Sequence, residues 1–444
     1  MEQRSLEQII GQAVVEETDE IVAAMRDFVR DVAGGEDPVA TEEALRGRIL
    51  TFGARLAERA IDHSDGNLRN AVRRRGHRSP DGTACDGTLA GKGVKETSLL
   101  TLLGEIRIKR WTATCRKCGV WLGAADELLG GENGMTGAAA SAVAAAGVTL
   151  PFEQAEAQLR HLTGLDVDDN RIARTIAAVA PRADQWTARE PDEVMRTVGF
   201  PPPGAWITVL IDGGRIRMRN GAAWREPCTG LVIWERPDGQ WEKIGVSHPT
   251  DKAHVTRVLD MWLDAFRKRG RKKVAILADG AEWIWNWAKS HPWTVQVLDY
   301  YHVKEHVWEA ARVLHGDGTS QAARWVDDIM ERLWRGWVPS TVDLLDGKRP
   351  RGWDGPGKRA ALDSLATYLE NHAGLIDYGR RRGQGCSIGS GLIESFCKQL
   401  FSMRMKGPGM FWSEEGARHV MDLRTVYLTG KWRHLWHSPI EEAA

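Results

Sequence analysis

Asp212 and Asp279 each close a short apolar run, Gly204–Asp212 (GAWITVLID) and Lys272–Gly280 (KKVAILADG), and each is followed by glycine. Apolar, β-branched runs of this length bounded by turn residues read as buried strands. A carboxylate at the C-terminal end of a core strand sits where open α/β sheets place their chemistry. Two such ends on neighbouring strands would aim two acids at one spot, which is costly unless a cation lies between them. A third acid, Glu394, lies in the helical stretch Leu392–Leu400 (LIESFCKQL), behind the Gly/Ser loop Gly385–Gly391 (GCSIGSG). Oxygen ligands of this kind suit Mg²⁺, or Mn²⁺ in its place. Two ions clamped by them would stabilise the attacking and leaving oxygens of an in-line displacement at phosphorus. The competing reading is that Asp-Gly is an ordinary turn signal, and one strand alone would favour it. Glu370, the nearest rival to Glu394, lies in a helical stretch without such a loop.

A second group of chemically able residues lies upstream. Cys115 and Cys118 form a Cys-x-x-Cys on a turn, and Cys85 precedes them. These are three thiolate candidates for Zn²⁺, with His77 as a candidate fourth, and a structural zinc site takes four ligands. The second Cys-x-x-Cys of a zinc ribbon is absent, because Gly82 stands three residues before Cys85. The alternative is a β-rich module with an empty knuckle.

The elements that must position these groups can be read in order. Leu6 to about Val32 has helical apolar spacing closed by Gly34-Gly35, and Thr41-Glu42-Glu43 opens a second helix to about Ile61. Together they make an N-terminal helical region over 1–66. A β-rich module follows over 67–130, with Glu105–Lys109 alternating as a half-exposed strand does. Residues 131–190 read as helices. Pro151–Leu162, the turn Thr163–Asp166 and Asn170–Val179 form a helix-turn-helix-like pair. Arg171 and Arg174 are expected on the exposed face of its second helix, within reach of DNA. Glu190–Pro203 (EPDEVMRTVGFPPP) reads as a linker.

From residue 200 the order is β-β-β-α-β-α-β-α, that of a ribonuclease H-like domain. It spans 200–318 and 380–430, with a helical insertion over 319–379 that carries a Gly/Pro loop at Gly347–Gly357. Arg215, Arg217 and Arg219 alternate on one face just after the first strand. The fold class expected is therefore α/β, preceded by a helical N-terminus, a small Cys-containing β module and a helix-turn-helix-like region.

Bulk composition narrows the function less. The 444 residues include 60 Lys plus Arg and 60 Asp plus Glu, so net charge does not point to a polyanion. The charge is nonetheless patchy, with basic clusters at Arg69–Arg78, Arg267–Lys273 and Arg380–Arg382. The 20 Trp, against 5 Tyr and 8 Phe, serve either core packing or stacking on unpaired bases. No apolar run reaches the length of a membrane span and no signal peptide is evident. Six Cys do not make a disulfide framework, so a cytoplasmic setting is expected.

Four stretches carry a resemblance. They are LIDGG (Leu210–Gly214), LADGAEWIW (Leu277–Trp285), LDYYHVKEH (Leu298–His306) and GSGLIESFCKQLFSMRMKGPGMFWS (Gly389–Ser413). On these the chain resembles bacterial insertion-sequence DDE transposases of the ISKra kind, relatives of the Mutator-like transposases. The resemblance is specific after residue 200 and loose before about residue 95. It implies that Asp212, Asp279 and Glu394 form a metal-binding triad. It implies that His302, in Asp299-x-x-His302, contacts the scissile phosphate or orients the triad, with Asp299 supporting it. Ser390, Lys398, Arg404 and Lys406, in the stretch around and after Glu394, would lie against DNA. The implied activity is two-step phosphoryl transfer, in which a strand is cut at the element end and the 3′-hydroxyl is joined to target DNA. Implied partners are terminal-repeat and target DNA and further copies of the chain, in the nucleoid when active.

Overall fold

The structure is a computed structural model that describes residues 6–79, 83–125, 129–219, 224–347 and 355–436. The chain divides into two compact units. One extends as far as Pro181 and the other is Arg182–Leu435.

The first unit opens with a helical hairpin, α1 (Leu6–Ala33) and α2 (Pro38–His63). The second helix begins earlier than the Thr41 expected. Asp37 caps it by accepting the N–H of Val39, and Pro38 occupies the first turn, where its missing N–H costs nothing. The region expected to be strand-rich from residue 67 instead begins with a third helix, α3 (Asp65–Arg75). Its sequence, DGNLRNAVRRR, offers a narrow apolar face, Leu68 and the buried Val72, which packs with Trp111 and Ala113, while Arg69 pairs with Asp65 and Arg73 lies 5.2 Å over the Trp111 ring.

Short strands β1 (His77–Arg78) and β2 (Ala84–Cys85) pair antiparallel. The strands β3 (Leu89–Thr101), β4 (Gly104–Cys115) and β5 (Trp121–Gly123) form an antiparallel sheet in the order β3-β4-β5. The short β5 covers only the end of β4. Along the remainder, the main-chain N–H groups of Arg107, Lys109 and Trp111 are accepted by carboxylates of Glu58, Asp62 and Asp65. A strand edge that would otherwise stand open is thus satisfied by acids spaced along α2 and the start of α3. Leu99, Ile106 and Ile108 on the other side of the pleat pack with Ala54 of α2 into a small core.

Three helices follow, α4 (Gly137–Thr149), α5 (Phe152–Thr163) and α6 (Asp169–Thr187). Gly164 ends α5 with φ 75°, a left-handed cap that glycine adopts without strain. Helices α5 and α6, joined by this turn, occupy the stretch read as a helix-turn-helix-like pair.

The second unit contains one mixed sheet. The stretch expected to be a linker holds a helix, α7 (Pro191–Val198). Its Val194, Met195 and Val198 are buried, and Asp192 pairs with Arg269. The proline run 201–203 masked this amphipathic turn in the sequence. Strands β6 (Ile207–Gly213), β7 (Ile216–Arg217), β8 (Trp224–Arg225), β9 (Cys228–Glu235), β10 (Trp241–His248), β11 (Val274–Ala278) and β12 (Val295–Leu298) follow, with α8 (Lys252–Lys268) and α9 (Glu282–Ala288) between the later ones. The five-stranded sheet has the order β10-β9-β6-β11-β12. The first three strands are antiparallel, and β11 and β12 run parallel to β6. Both central strands are buried along their whole apolar length, as strands covered on two faces must be.

Helices cover both faces. Gly230 lies opposite Val246 and Gly245 opposite Leu231, so the two glycines face opposite sides of the sheet. A methyl group at Gly230 would lie 2.9 Å from Leu259 of α8. One at Gly245 would lie 3.1 Å from Thr425 of a late helix, α16 (Glu414–Leu428). Between β12 and α16 come α10 (Tyr300–His315), α11 (Ser320–Trp334), α12 (Val338–Gly347), α13 (Pro356–Asn371), α14 (Tyr378–Gly383) and α15 (Gly391–Cys397). A π-helical turn, Lys398–Ser402, continues α15. The helices α11 to α13 occupy the region expected as an insertion, and α14 runs across its expected end at residue 379; of its Gly/Pro loop, residues 348–354 lie outside those described. No helix among the described residues is long and apolar enough to cross a membrane.

Candidate active site and metal centre

β6 and β11 are adjacent and parallel, with Ile211 opposite Ala278. Asp212 and Asp279, one residue further along, therefore leave the two strands at the same level and on the same end of the sheet. Both are half-buried, and Glu394 on α15 is exposed. The acids feel one another. Burial first, then the charge of Asp279 and, to a smaller degree, of Glu394 push the Asp212 carboxyl above its usual range. The Gly213 N–H, 2.6 Å from Asp212 Oδ1, and the Cys397 thiol pull the other way. Burial also keeps the thiols of Cys397 and Cys228 protonated, the latter pushed up to about 12. Cys397 thus faces Asp212 as a neutral hydrogen-bond donor.

Several main-chain anchors hold this arrangement. Trp285 Nε1 donates to the Asp279 carbonyl at 2.9 Å, and the Asp279 side chain accepts the Ala281 N–H at 3.0 Å. Asp299 is fully buried. It caps α10 by accepting the His302 main-chain N–H at 2.7 Å, and its other oxygen accepts the N–H of Ser390. The Tyr300 N–H meets the Ile388 carbonyl at 2.9 Å. The Gly/Ser loop is thereby tied to the start of α10. From that loop the buried Ser390 hydroxyl donates to Glu394 Oε1. Tyr368 of α13 packs over Gly280, where a methyl group would lie 3.0 Å from its ring. Burial, then the charges of Asp279 and Asp299, push its phenol up.

The other expected site residues fare differently. The Asp299 carboxylate supports His302 through the main chain and not through the imidazole. The His302 ring is partly exposed, with Nδ1 3.7 Å from Glu305. Lys398 and Lys406 are exposed. Arg404, expected at DNA, is 2% exposed and stacks 5.1 Å over the Trp412 ring, with burial drawing its pKa down to about 10. It is a core residue. In the first unit Arg174 is exposed, as expected, but Arg171 is half-buried and its guanidinium reaches the Gly134 carbonyl at 3.4 Å.

The upstream cysteines come together with a histidine. The ligand atoms of His77, Cys85, Cys115 and Cys118 all lie within 4.8 Å of one another. Cys118 Sγ is 3.4 Å from His77 Nε2, and Cys85 Sγ is 3.8 Å from Cys115 Sγ. All three cysteines are free thiols. The N–H groups of Lys117 and Cys118 point at Cys115 Sγ at 3.3 and 3.5 Å, and that of Gly87 at Cys85 Sγ at 3.4 Å. Hydrogen bonds from Cys118 and then Lys117 draw the Cys115 thiol down to about 6, toward the thiolate a metal needs. A methyl group at Gly87 would lie 2.5 Å from Cys115 Sγ, so the turn admits only glycine. This Cys₃His set can hold a metal such as zinc. The acids are more open: among the described residues their oxygens do not share such close mutual spacing.

No family model matches the chain. It is similar to two proteins of Caldanaerobacter subterraneus subsp. tengcongensis, UPF0236 protein TTE2489 and UPF0236 protein TTE0402. Each is 24% identical over 208 residues, or 44% of this chain. The chain's match spans 42% of the length of the first and 39% of the second.

Sequence reasoning did not find Tyr368, nor the positioning parts of Asp299 and Ser390 toward Glu394. Tyr368 sits on a remote helix with no local signal. Asp299 had a readable one, because Asp before a helix three residues ahead of its capped N–H is an N-cap pattern.

Proposed function

We propose that the protein is a DDE transposase, which cuts DNA at the ends of an insertion element and joins the freed 3′-hydroxyl to target DNA. The observation that carries this reading is the register of β6 on β11. It sets Asp212 level with Asp279, in a cluster where Glu394 also raises the Asp212 carboxyl. The strand order, three antiparallel strands followed by two parallel ones, agrees with a ribonuclease H-like catalytic domain.

The donor set fits Mg²⁺. Asp212, Asp279 and Glu394 offer only hard carboxylate oxygens, and their mutual repulsion is what a cation would relieve. Bound there, Mg²⁺ would supply the positive charge that in-line phosphoryl transfer needs at its attacking and leaving oxygens. The chain's own residues do the rest. Asp299 and Ser390 fix the Glu394 carboxylate, Trp285 fixes the Asp279 main chain, and the Cys397 thiol orients Asp212. Exposed Lys398 and Lys406 offer positive charge to phosphates. The Cys₃His centre and the α5–α6 pair, with Arg174 outward, would read the element ends.

The test is to incubate the purified chain with DNA carrying its native element ends and Mg²⁺ or Mn²⁺. Cut and joined products are expected from the wild type and neither from Asp212→Asn, Asp279→Asn or Glu394→Gln, with DNA binding retained. Cutting without joining would make the protein a nuclease. Binding without either would make it a transposase-derived DNA-binding protein.

A further inference from the structure

Immediately after Asp212 the chain builds a feature that the acid cluster does not use. β7 and β8 pair antiparallel, Ile216 with Arg225 and Arg217 with Trp224. Ile216 and Met218 point inward and are buried, so Arg215, Arg217 and Arg219 all point out. On the far side β7 is joined to the segment after the π-helical turn. Trp412 N–H donates to the Arg217 carbonyl at 3.0 Å, and Arg219 N–H donates to the Trp412 carbonyl at 2.9 Å. At its root, a methyl group on Gly214 would lie 2.6 Å from Phe401, in the turn that follows the Glu394 helix. The outward face is thus seated on the same elements that carry the acids. Arg217 is five residues beyond Asp212, at most about 17 Å along an extended chain.

The composition of that face points to a partner. Arg217 lies between two aromatic rings, 5.4 Å from that of Trp224 and 5.4 Å from that of Phe411. Both rings are open to solvent, Trp224 at 53% and Phe411 at 39%. Arg215 and Arg219 flank Arg217 on this outward face, with the Arg219 guanidinium donating to the Phe411 carbonyl at 3.3 Å, and the nearby acid Glu226 is itself exposed and 3.8 Å from Arg215. A surface that met only duplex phosphates would need cations alone. Exposed rings interleaved with arginines match an unpaired strand, whose bases stack while its phosphates pair.

We propose that the β7–β8 limbs and Phe411 form a binding surface for unpaired DNA bases beside the acid cluster, with Trp224 and Phe411 stacking on bases and Arg215, Arg217 and Arg219 taking phosphates. This rests on the DNA-processing reading above and extends it. It says that the strand handled at the acids is presented frayed and not as closed duplex.

Fluorescence anisotropy of the full chain, without added divalent cation, tests it. The probes are one fluorescein-labelled single strand and its blunt duplex. Trp224→Ala is expected to weaken single-strand binding roughly ten-fold and leave the duplex nearly unchanged, while Trp224→Phe restores binding. Arg217→Ala should lower the salt dependence for the single strand by about 0.7 in the log–log slope. Both side chains are exposed, so thermal melting should stay at the wild-type value and report folding. Undiminished single-strand binding by Trp224→Ala, or equal losses on both probes, overturns the proposal. The two readings fail separately. A chain that binds unpaired DNA through Trp224 but never cuts with Mg²⁺ sinks only the catalytic one. A chain that cuts, with Trp224→Ala binding unchanged, sinks only this surface.

Discussion

One carboxylate oxygen of Asp299 accepts the main-chain N–H of Ser390, ninety-one residues further on, while the other caps α10 at His302. A buried acid thus welds the loop before Glu394 to the helix after β12. Asp299→Ala should leave Asp212 and Asp279 in place and let Glu394 drift. Strand-cleavage turnover is expected to fall about ten- to hundred-fold, the usual cost of losing an outer-shell support, with DNA affinity kept. Ser390→Ala should fall in the same direction by less. Full turnover in Asp299→Ala would show that the loop holds itself.

The strained acid is Asp212. Its carboxyl is raised in the folded chain, mainly by burial, so between the ordinary carboxylate value and the raised one the folded state binds more protons than the unfolded state. Stability therefore falls as pH rises through that window, and at neutral pH the whole penalty is present. Asp212→Asn removes it. In metal-free buffer at neutral pH the variant should melt higher than the wild type, with the difference shrinking as the pH falls to the ordinary carboxylate range. Mg²⁺ should raise the melting temperature of the wild type and not of the variant. A variant that melts lower at neutral pH would contradict the electrostatic account.

The His77, Cys85, Cys115 and Cys118 centre predicts one zinc per chain by elemental analysis. Cys115→Ser or His77→Ala should lose most of it. Gly87→Ala leaves every ligand in place but puts a methyl group 2.5 Å from Cys115 Sγ, so it should lose the metal too. Removing the metal with a chelator should lower the melting temperature of the wild type and leave Cys115→Ser unaffected. Wild-type metal content in Gly87→Ala would show that the turn has room to give.

Glu242 and Lys431 form a buried ion pair between β10 and the end of α16, at 5% and 8% exposure. Glu242 also lies 3.6 Å from Arg236 and keeps a partner if Lys431 is lost, whereas Lys431 is left uncompensated if Glu242 is lost. Glu242→Gln is expected to destabilise by about 3–5 kcal/mol in urea melts, and Glu242→Gln with Lys431→Met by much less. Equal losses in the single and double variants would place the cost in packing.

Much of this was legible because it was local. The strands ending at Asp212 and Asp279 announced themselves as β-branched runs stopped by Asp-Gly, and the Gly/Ser loop marked the helix of Glu394. What was not legible depended on long-range contact. Arg404 sits in a basic stretch that reads as a DNA-facing surface, yet Trp412, eight residues on, folds back and buries it. His77 was legible as a candidate fourth ligand, but the pairing of β1 with β2 that brings it to the thiols was not. α3 has only Leu68 and Val72 at helical spacing among its charged residues, too narrow a face to betray a helix. α7 is short and shadowed by three prolines, and its helical nature depends on packing.

The carboxylates of Glu58, Asp62 and Asp65 that hold the edge of β4 have one more consequence. They step from α2 into the start of α3 by roughly one helical turn, 5.4 Å, while the amides they accept step by two strand residues, roughly 6.8 Å. The two scales agree over only a few repeats, so the acids work as a ruler of limited length. Sliding β4 by one residue would turn all three amides away together and strand the acids at once. The hairpin of α1 and α2 therefore does more than cover the sheet. It selects a single alignment of β4, and with it the distance at which Cys115 and Cys118 arrive opposite His77.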